Sequence, residues 1–289
     1  MLKILLKLLR VKQWYKNLLV FLPLFFAGNL LEVNLIPYII GFFSLSLMSS
    51  SYYILNDLKD LKQDKLHPEK KFRPIPNGDV SKLAAKVLFA VLFALSIILA
   101  IPLGLPFLDF VLALFVVSIL YIHFLKYVAF LDIITISINF LIRLIAGAYI
   151  TATSFQPKIE LSAWLVLCVF FLALFLTSSK RYADMSLLKS KAKSTRKSLK
   201  DYDQQTTFFV SIISITMLLT VYSLYIVFVQ STLFLATLPI AFFAVIRYVS
   251  LLHQGSIITR HPELFYKDIQ LLTSILIYAA LTFALIYFV

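Results

Sequence analysis

Tyr52-Tyr53-Ile54-Leu55-Asn56-Asp57-Leu58-Lys59-Asp60-Leu61-Lys62-Gln63-Asp64 is where a long apolar run gives way to charge, and its reading decides the fold. The run before it, residues 34–55, is apolar enough for a membrane helix. If the helix continues, Asp57, Asp60 and Asp64 fall at i, i+3 and i+7 on one face, neighbours about 5–6 Å apart. Carboxylates that close repel one another unless a cation lies between them. A solvated helix end with its acids paired to Lys59, Lys62 and Lys65 is the plainer reading. Hard oxygen ligands at the end of a membrane helix, with basic residues just beyond, are what Mg²⁺ and a diphosphate require.

The rest of the composition supports a membrane setting. Apolar residues make up 61% of the chain, charged ones 14%, and mean hydropathy is +0.92, which excludes a soluble globular domain. The apolar runs follow one another without a Gly/Ser-rich linker, so residues 1–289 read as a single membrane domain. A net charge of +13 would suit nucleic acid, but the basic residues lie in short segments between apolar runs, so nucleic acid is not an expected partner. Cys168 is the only cysteine and sits in an apolar run, excluding a disulfide framework and a thiolate metal site. His67, His123, His253 and His261 offer no close pair for zinc.

Residues 1–16 place Lys3, Lys7 and Arg10 opposite Leu2, Leu5, Leu6 and Leu9, as in an interfacial helix that is retained rather than cleaved. A helix needs about 20 residues to cross a hydrocarbon core of roughly 30 Å. Nine segments are predicted: 17–31, 34–55, 82–101, 106–125, 130–151, 161–179, 206–229, 232–250 and 269–288. The fold class is all-α and polytopic. Of the 27 Lys and Arg, 25 fall on one side of this alternation, leaving Lys158 opposite and Arg143 inside a span. That side is expected to be cytoplasmic, with the N-terminus inside and the C-terminus outside the cell membrane. Two long cytoplasmic loops, 56–81 and 180–205, each follow the second helix of a group of four, a spacing that also occurs in transporters.

The first loop continues through Lys70-Lys71-Phe72-Arg73-Pro74, and its basic side chains suit phosphate oxygens, Arg73 beside a turn-forming proline most specifically. The second loop carries Lys180, Arg181, Tyr182 and Asp184, then Lys189, Lys191, Lys193, Arg196, Lys197 and Lys200, so cations dominate. An acidic cluster with metal and a cationic cluster without it suit substrates carrying more phosphate than one metal-bound diphosphate. The fifth span aligns Asp132, Asn139, Arg143 and Gly147 on one stripe. An arginine there should face the bundle interior, as half of an ion pair or towards substrate. Gly147 suits close helix packing. Tyr121, His123 and Lys126 end the fourth span at the same cytoplasmic mouth.

Asn56-Asp57-x-x-Asp60-x-x-x-Asp64 resembles the first aspartate-rich motif of the UbiA superfamily of intramembrane prenyltransferases. Arg10-x-x-Gln13-Trp14-x-Lys16-Asn17-Leu18, Tyr53-Ile54-Leu55-Asn56-Asp57, His67-Pro68-x-Lys70-Lys71-x-Arg73-Pro74-Ile75, Asp132 with Arg143 and Gly147, and Lys180-Arg181 are similar to its phosphoribosyltransferase branch. The resemblance implies nine helices around a lipid-open cavity and Mg²⁺ held by Asp57 and Asp60 with Asn56 or Asp64. It also implies phosphoribosyl pyrophosphate as donor and a polyprenyl phosphate as acceptor, in cell-envelope glycan synthesis. Asp57, Asp60, Lys180 and Arg181 are then the candidate catalytic residues. Lys16, Asn17, Asn56, Lys71, Arg73, Lys126 and Arg143 are candidate substrate contacts, with Tyr182 and Asp184 on the ribose. Where ordinary prenyltransferases carry a second Asp-rich motif, Asp184 is followed four residues later by Leu188. The alternatives are a prenyltransferase with a prenyl diphosphate donor and an aromatic or lipid acceptor, and a transporter. A homo-oligomer is compatible with each.

Overall fold

The computed structural model describes residues 2–67, 69–155, 160–188, 202–229 and 231–288. Lys158, Gln230 and the cationic run from Lys189 to Lys200 lie outside the described residues. The described chain is helical, and eight of its helices are long and apolar enough to cross a membrane. The helices are α1 (Leu2–Leu8), α2 (Leu22–Phe26), α3 (Ile36–Lys59), α4 (Leu61–Leu66), α5 (Pro74–Asn77), α6 (Lys82–Ala100) and α7 (Leu105–His123). They continue as α8 (Leu131–Ser154), α9 (Ala163–Leu188), α10 (Gln204–Val229), α11 (Leu238–His253), α12 (Ile257–Arg260) and α13 (Ile269–Tyr287).

The first of the nine expected spans takes a different form. Residues 17–31 do not make one long α-helix: a 3₁₀ helix, Val11–Phe21, runs into the short α2, and Gly28 ends the segment at φ +74°. Pro23 accounts for the change at α2, because it has no N–H to give to a continuing helix and stands near the start of a new one. The 3₁₀ part buries a polar Asn17 beside Val20, both fully, so tertiary partners as well as hydropathy fix its path.

The chain divides into two compact units. One comprises Met1–Val128 and Ile138–Leu161, the other Ala129–Ser137 and Ser162–Val289, so the sequence of α8 contributes to both. In the first unit α3 packs on α6 and α7, and its core gathers Val20, Leu24, Tyr38, Leu45, Met48 and Phe107. In the second, α9 packs on α10 and α11 on α13, around Phe175, Ile215, Tyr248 and Leu251. The outward faces are apolar. Val87, Val91, Leu95 and Ile98, spaced by four, four and three along α6, are all exposed, as a lipid-facing stripe requires.

The serines of α3 face inward. Ser44, Ser46, Ser49, Ser50 and Ser51 on α3 are buried, and Ser44 donates to the Ser96 carbonyl at 2.9 Å, tying α3 to α6. Small hydroxyls let helices approach closely while still satisfying one another. Gly147 on α8 does the same for the 3₁₀ helix: a Cβ there would lie 2.2 Å from the Val20 carbonyl oxygen.

Candidate functional site

The acidic stretch that closes α3 is built on two helices rather than one. Asp60 breaks the helix with ψ near 8°, α4 begins at the next residue, and backbone bonds Asp60 N–H to Asn56 O (2.9 Å) and Asp64 N–H to Asp60 O (2.8 Å) keep the two nearly continuous. Asp57 and Asp64 therefore remain on one side, and both are buried at 2% exposure. Opposite them stands Arg73, which Pro74 forces into an extended backbone (ψ 149°) just before the four-residue helix α5, itself closed by Gly78 at φ +91°.

One nitrogen of Arg73, Nη1, donates to Oδ1 of Asp57 at 2.9 Å and to Oδ2 of Asp64 at 2.8 Å. Arg10 also donates to Oδ1 of Asp57 while its guanidinium lies 4.6 Å above the Tyr53 ring. Arg10 reaches this position from a left-handed backbone conformation, φ +50°, which costs a non-glycine residue about 1–3 kcal/mol and tends to persist at working sites. Burial opposes the charge on Arg10, but Asp57, Tyr53 and Asp64 together hold its proton more tightly than usual. At Asp64 burial prevails, raising the carboxyl above its ordinary range although Arg73 and Lys70 pull it down. Asp60 takes a separate partner: Lys126 Nζ is 2.6 Å from its Oδ1 and 3.3 Å from Oδ1 of Asn56.

Deeper in the same unit lies Arg143, 2% exposed. Its Nε donates to Asn17 Oδ1 at 2.6 Å, its Nη2 to Tyr52 Oη at 2.9 Å and Ser49 Oγ at 3.2 Å, and its Nη1 to the Asn139 carbonyl. Among the described residues no carboxylate pairs with it, so a neutral cage solvates this charge. Lys16 stands on the same Phe140 ring, 5.9 Å from its centre, with the Arg143 guanidinium at 6.0 Å.

The second unit holds its own cluster. Arg181 Nε lies 2.8 Å from Oδ2 of the fully buried Asp132, whose Oδ1 accepts from the Tyr202 hydroxyl. That hydroxyl in turn accepts from the backbone N–H of Phe130 at 2.9 Å, where Phe130 takes φ +63°. Burial and Asp132 both raise the Tyr202 phenol above its usual range. Asp184, one turn beyond Lys180 and Arg181 on α9, is held by Arg260 Nε at 3.1 Å, with Arg181 Nη1 at 3.9 Å.

The sequence pattern of the UbiA prenyltransferase family matches residues 17–262. The chain belongs to that family. It is 34% identical over 227 residues to a protein named decaprenyl-phosphate phosphoribosyltransferase from Mycolicibacterium smegmatis, covering 76% of this chain and 69% of the relative. It is 32% identical over 225 residues to the protein of the same name from Mycobacterium tuberculosis, covering 76% and 72%. A solved UbiA homolog from Archaeoglobus fulgidus bound to DMAPP and Mg²⁺ superimposes with a TM-score of 0.73 at 18% identity, over 97% of this chain and 98% of that one. The fold is that of the UbiA family.

Within this UbiA fold, the candidate residues fall into groups. Asn56, Asp60 and Lys126 meet, as do Asp57, Asp64 and Arg73; Asn17 joins Arg143. Arg181 and Asp184 share the second unit's cluster, with Lys180 acting on Asp184 through its charge. Lys71 stands apart, exposed, with its Nζ 5.0 Å from the centre of the Phe72 ring, and the Tyr182 ring rests on Phe208 with centres 5.4 Å apart. Arg143 makes no ion pair among the described residues, so the structural pair weighed from sequence is replaced by a neutral cage. Arg10, Tyr52, Tyr202 and Arg260 are not among the site residues expected from sequence. Arg10 opens one of the motifs in the sequence and Tyr52 directly precedes another, whereas Tyr202 and Arg260 carry no local signal.

The oxygen donors suit a hard divalent cation in kind: two carboxylates share one side, and an amide oxygen lies near the third. Each carboxylate already carries a basic side chain, and among the described residues no three acidic, cysteine or histidine side chains converge as a ready-made metal cage.

Proposed function

We propose that the protein transfers a 5-phosphoribosyl group from phosphoribosyl pyrophosphate to a polyprenyl phosphate, releasing pyrophosphate, at the cytoplasmic face of the cell membrane. The observation that carries this reading is the concentration of cations on the aspartate motif, Arg10, Arg73, Lys70 and Lys126, alongside the relatives' shared name. A highly phosphorylated donor needs that much positive charge.

In this scheme Asp57 and Asp60, with Asn56 or Asp64, would hold Mg²⁺, which supplies charge neutralisation for a departing pyrophosphate. Arg73, Lys71 and Lys126 bind diphosphate oxygens, Arg73 with a planar fork suited to two at once. The ribose C1–O bond to pyrophosphate breaks, and a new bond forms between C1 and an oxygen of the lipid phosphate. That phosphate is anionic at neutral pH, so no strong base is required, and positioning supplies much of the catalysis. Lys180 and Arg181 carry further phosphate, and Asp132 orients Arg181. Tyr182 and Asp184 serve the ribose. Asn17 and Arg143, with Lys16 on the same aromatic ring, place positive charge within the membrane-embedded part of the first unit, where an anionic lipid head is attracted. The product is a precursor for a cell-envelope glycan.

Purified protein with Mg²⁺, phosphoribosyl pyrophosphate and long polyprenyl phosphates is expected to yield a phosphoribosylated lipid. No product across several chain lengths refutes the reading. The A. fulgidus homolog with bound DMAPP gives a prenyl diphosphate donor standing as the second reading, and prenylation of an aromatic or lipid acceptor in the same assay would establish it.

A further inference from the structure

A single nitrogen of Arg73 bridges Oδ1 of Asp57 and Oδ2 of Asp64 at 2.9 and 2.8 Å, so it engages carboxylate oxygens that would serve a divalent ion. Arg10 adds a second guanidinium to the same Asp57 oxygen, and Lys70 comes within 3.8 Å of Oδ1 of Asp64. Asp60 is likewise taken by Lys126 at 2.6 Å. A bare divalent ion entering here would add two positive charges beside the four basic side chains already present while finding its ligands engaged. The same ion arriving on a diphosphate belongs to a net anionic complex, and it offers Arg73 acceptor oxygens in exchange for those it gives up.

We propose that Arg73 is a built-in counter-cation that keeps free divalent metal off the aspartate motif, so that metal enters only together with a diphosphate and the guanidinium passes from the carboxylates to that diphosphate. This deepens the functional reading above and rests on its assignment of a diphosphate to this cluster. The exposures give the exchange a direction. The Arg73 side chain is 27% exposed while those of Asp57 and Asp64 are 3% exposed, so the acids form a buried floor and the guanidinium reaches them from the wet side. A diphosphate coming from the cytoplasm meets Arg73 first. Metal and diphosphate then favour each other's binding reciprocally, as linkage requires.

The test needs no turnover. Mn²⁺ is titrated calorimetrically into the full chain in detergent without any diphosphate, comparing wild type with Arg73→Gln. The variant is expected to bind Mn²⁺ about 10-fold more tightly, within the ordinary range of coupling between sites. Adding Asp57→Asn to the variant should abolish that gain, assigning it to this cluster. Inorganic pyrophosphate titrated without metal should bind Arg73→Gln about 10-fold more weakly than wild type. Equal Mn²⁺ affinity in wild type and variant overturns the proposal. If Arg73→Gln elutes as an aggregate, Arg73→Lys takes its place: its shorter, unforked side chain holds the two carboxylates less firmly. Tighter Mn²⁺ binding by it supports the proposal and unchanged binding overturns it. Wild-type protein that makes no phosphoribosylated lipid refutes the functional reading instead, a result separate from the metal titration.

Discussion

Gly147 faces the backbone of Val20 so closely that a Cβ on it would stand 2.2 Å from the Val20 carbonyl oxygen and 2.7 Å from its Cα. The obstacle is backbone rather than a movable side chain, so the 3₁₀ helix itself has to yield. Gly147→Ala is expected to destabilise the protein by about 1–3 kcal/mol, the usual cost of overpacking a filled core. Thermal unfolding in detergent measures it. An unchanged midpoint would mean that the segment does not rest on α8.

The cage around Arg143 makes a second expectation. Arg143→Lys removes the geometry that serves Asn17, Ser49, Tyr52 and the Asn139 carbonyl at once. Each polar group left unsatisfied in a buried setting costs about 1–3 kcal/mol, so this conservative change should lower the unfolding midpoint clearly. A lysine variant as stable as wild type would show that the forked geometry is dispensable.

Tyr202→Phe keeps the ring against Phe130, whose centroid is 4.8 Å away, and removes only the hydroxyl. The Phe130 N–H then loses its acceptor and Asp132 one of its donors. A loss of about 1–3 kcal/mol is expected. If Arg181 binds donor phosphate as proposed, a less constrained Asp132 lets it do so less well, seen as a raised KM for phosphoribosyl pyrophosphate at nearly constant kcat. A fall in kcat alone would count against this positioning role.

Asp64 gives a pH signature. Burial raises its carboxyl pKa in the folded protein, so the folded chain holds that proton more tightly than the unfolded chain does. The associated stability is fully present below the ordinary aspartate pKa and is lost as pH rises through the folded value. At neutral pH the ionised side chain is therefore a net burden on folding. Asp64→Asn should unfold at an equal or higher temperature than wild type at pH 7, and the advantage should vanish near pH 4. A midpoint lower than wild type at pH 7 would contradict this account.

Much of the membrane architecture was legible because a span announces itself in a window of its own residues: α3, α6, α7, α8, α9, α10 and α13 all lie where apolar runs were read. The segment after Arg10 was not legible in form. Its conformation depends on Gly147 and Arg143, more than 120 residues away, and hydropathy carries no such information. Asp57, Asp60 and Asp64 stood out locally by spacing. Their pairing did not, because Arg73 and Lys126 are each one basic residue among many, and only folding selects them. Tyr202 and Arg260 were invisible for the same reason, each deriving its place from a carboxylate on another helix.

The dependence of the 3₁₀ helix on α8 also sets a schedule for biogenesis. Val20 and Asn17 leave the ribosome well over a hundred residues ahead of their partners Gly147 and Arg143. At about 5–20 residues per second, the wait is on the order of ten seconds. During it the amino-terminal segment lacks the contacts that define its shape, while its lysines and buried asparagine suit the membrane surface better than the interior. Its final seating is thus a late event, completed when α8 arrives to receive it.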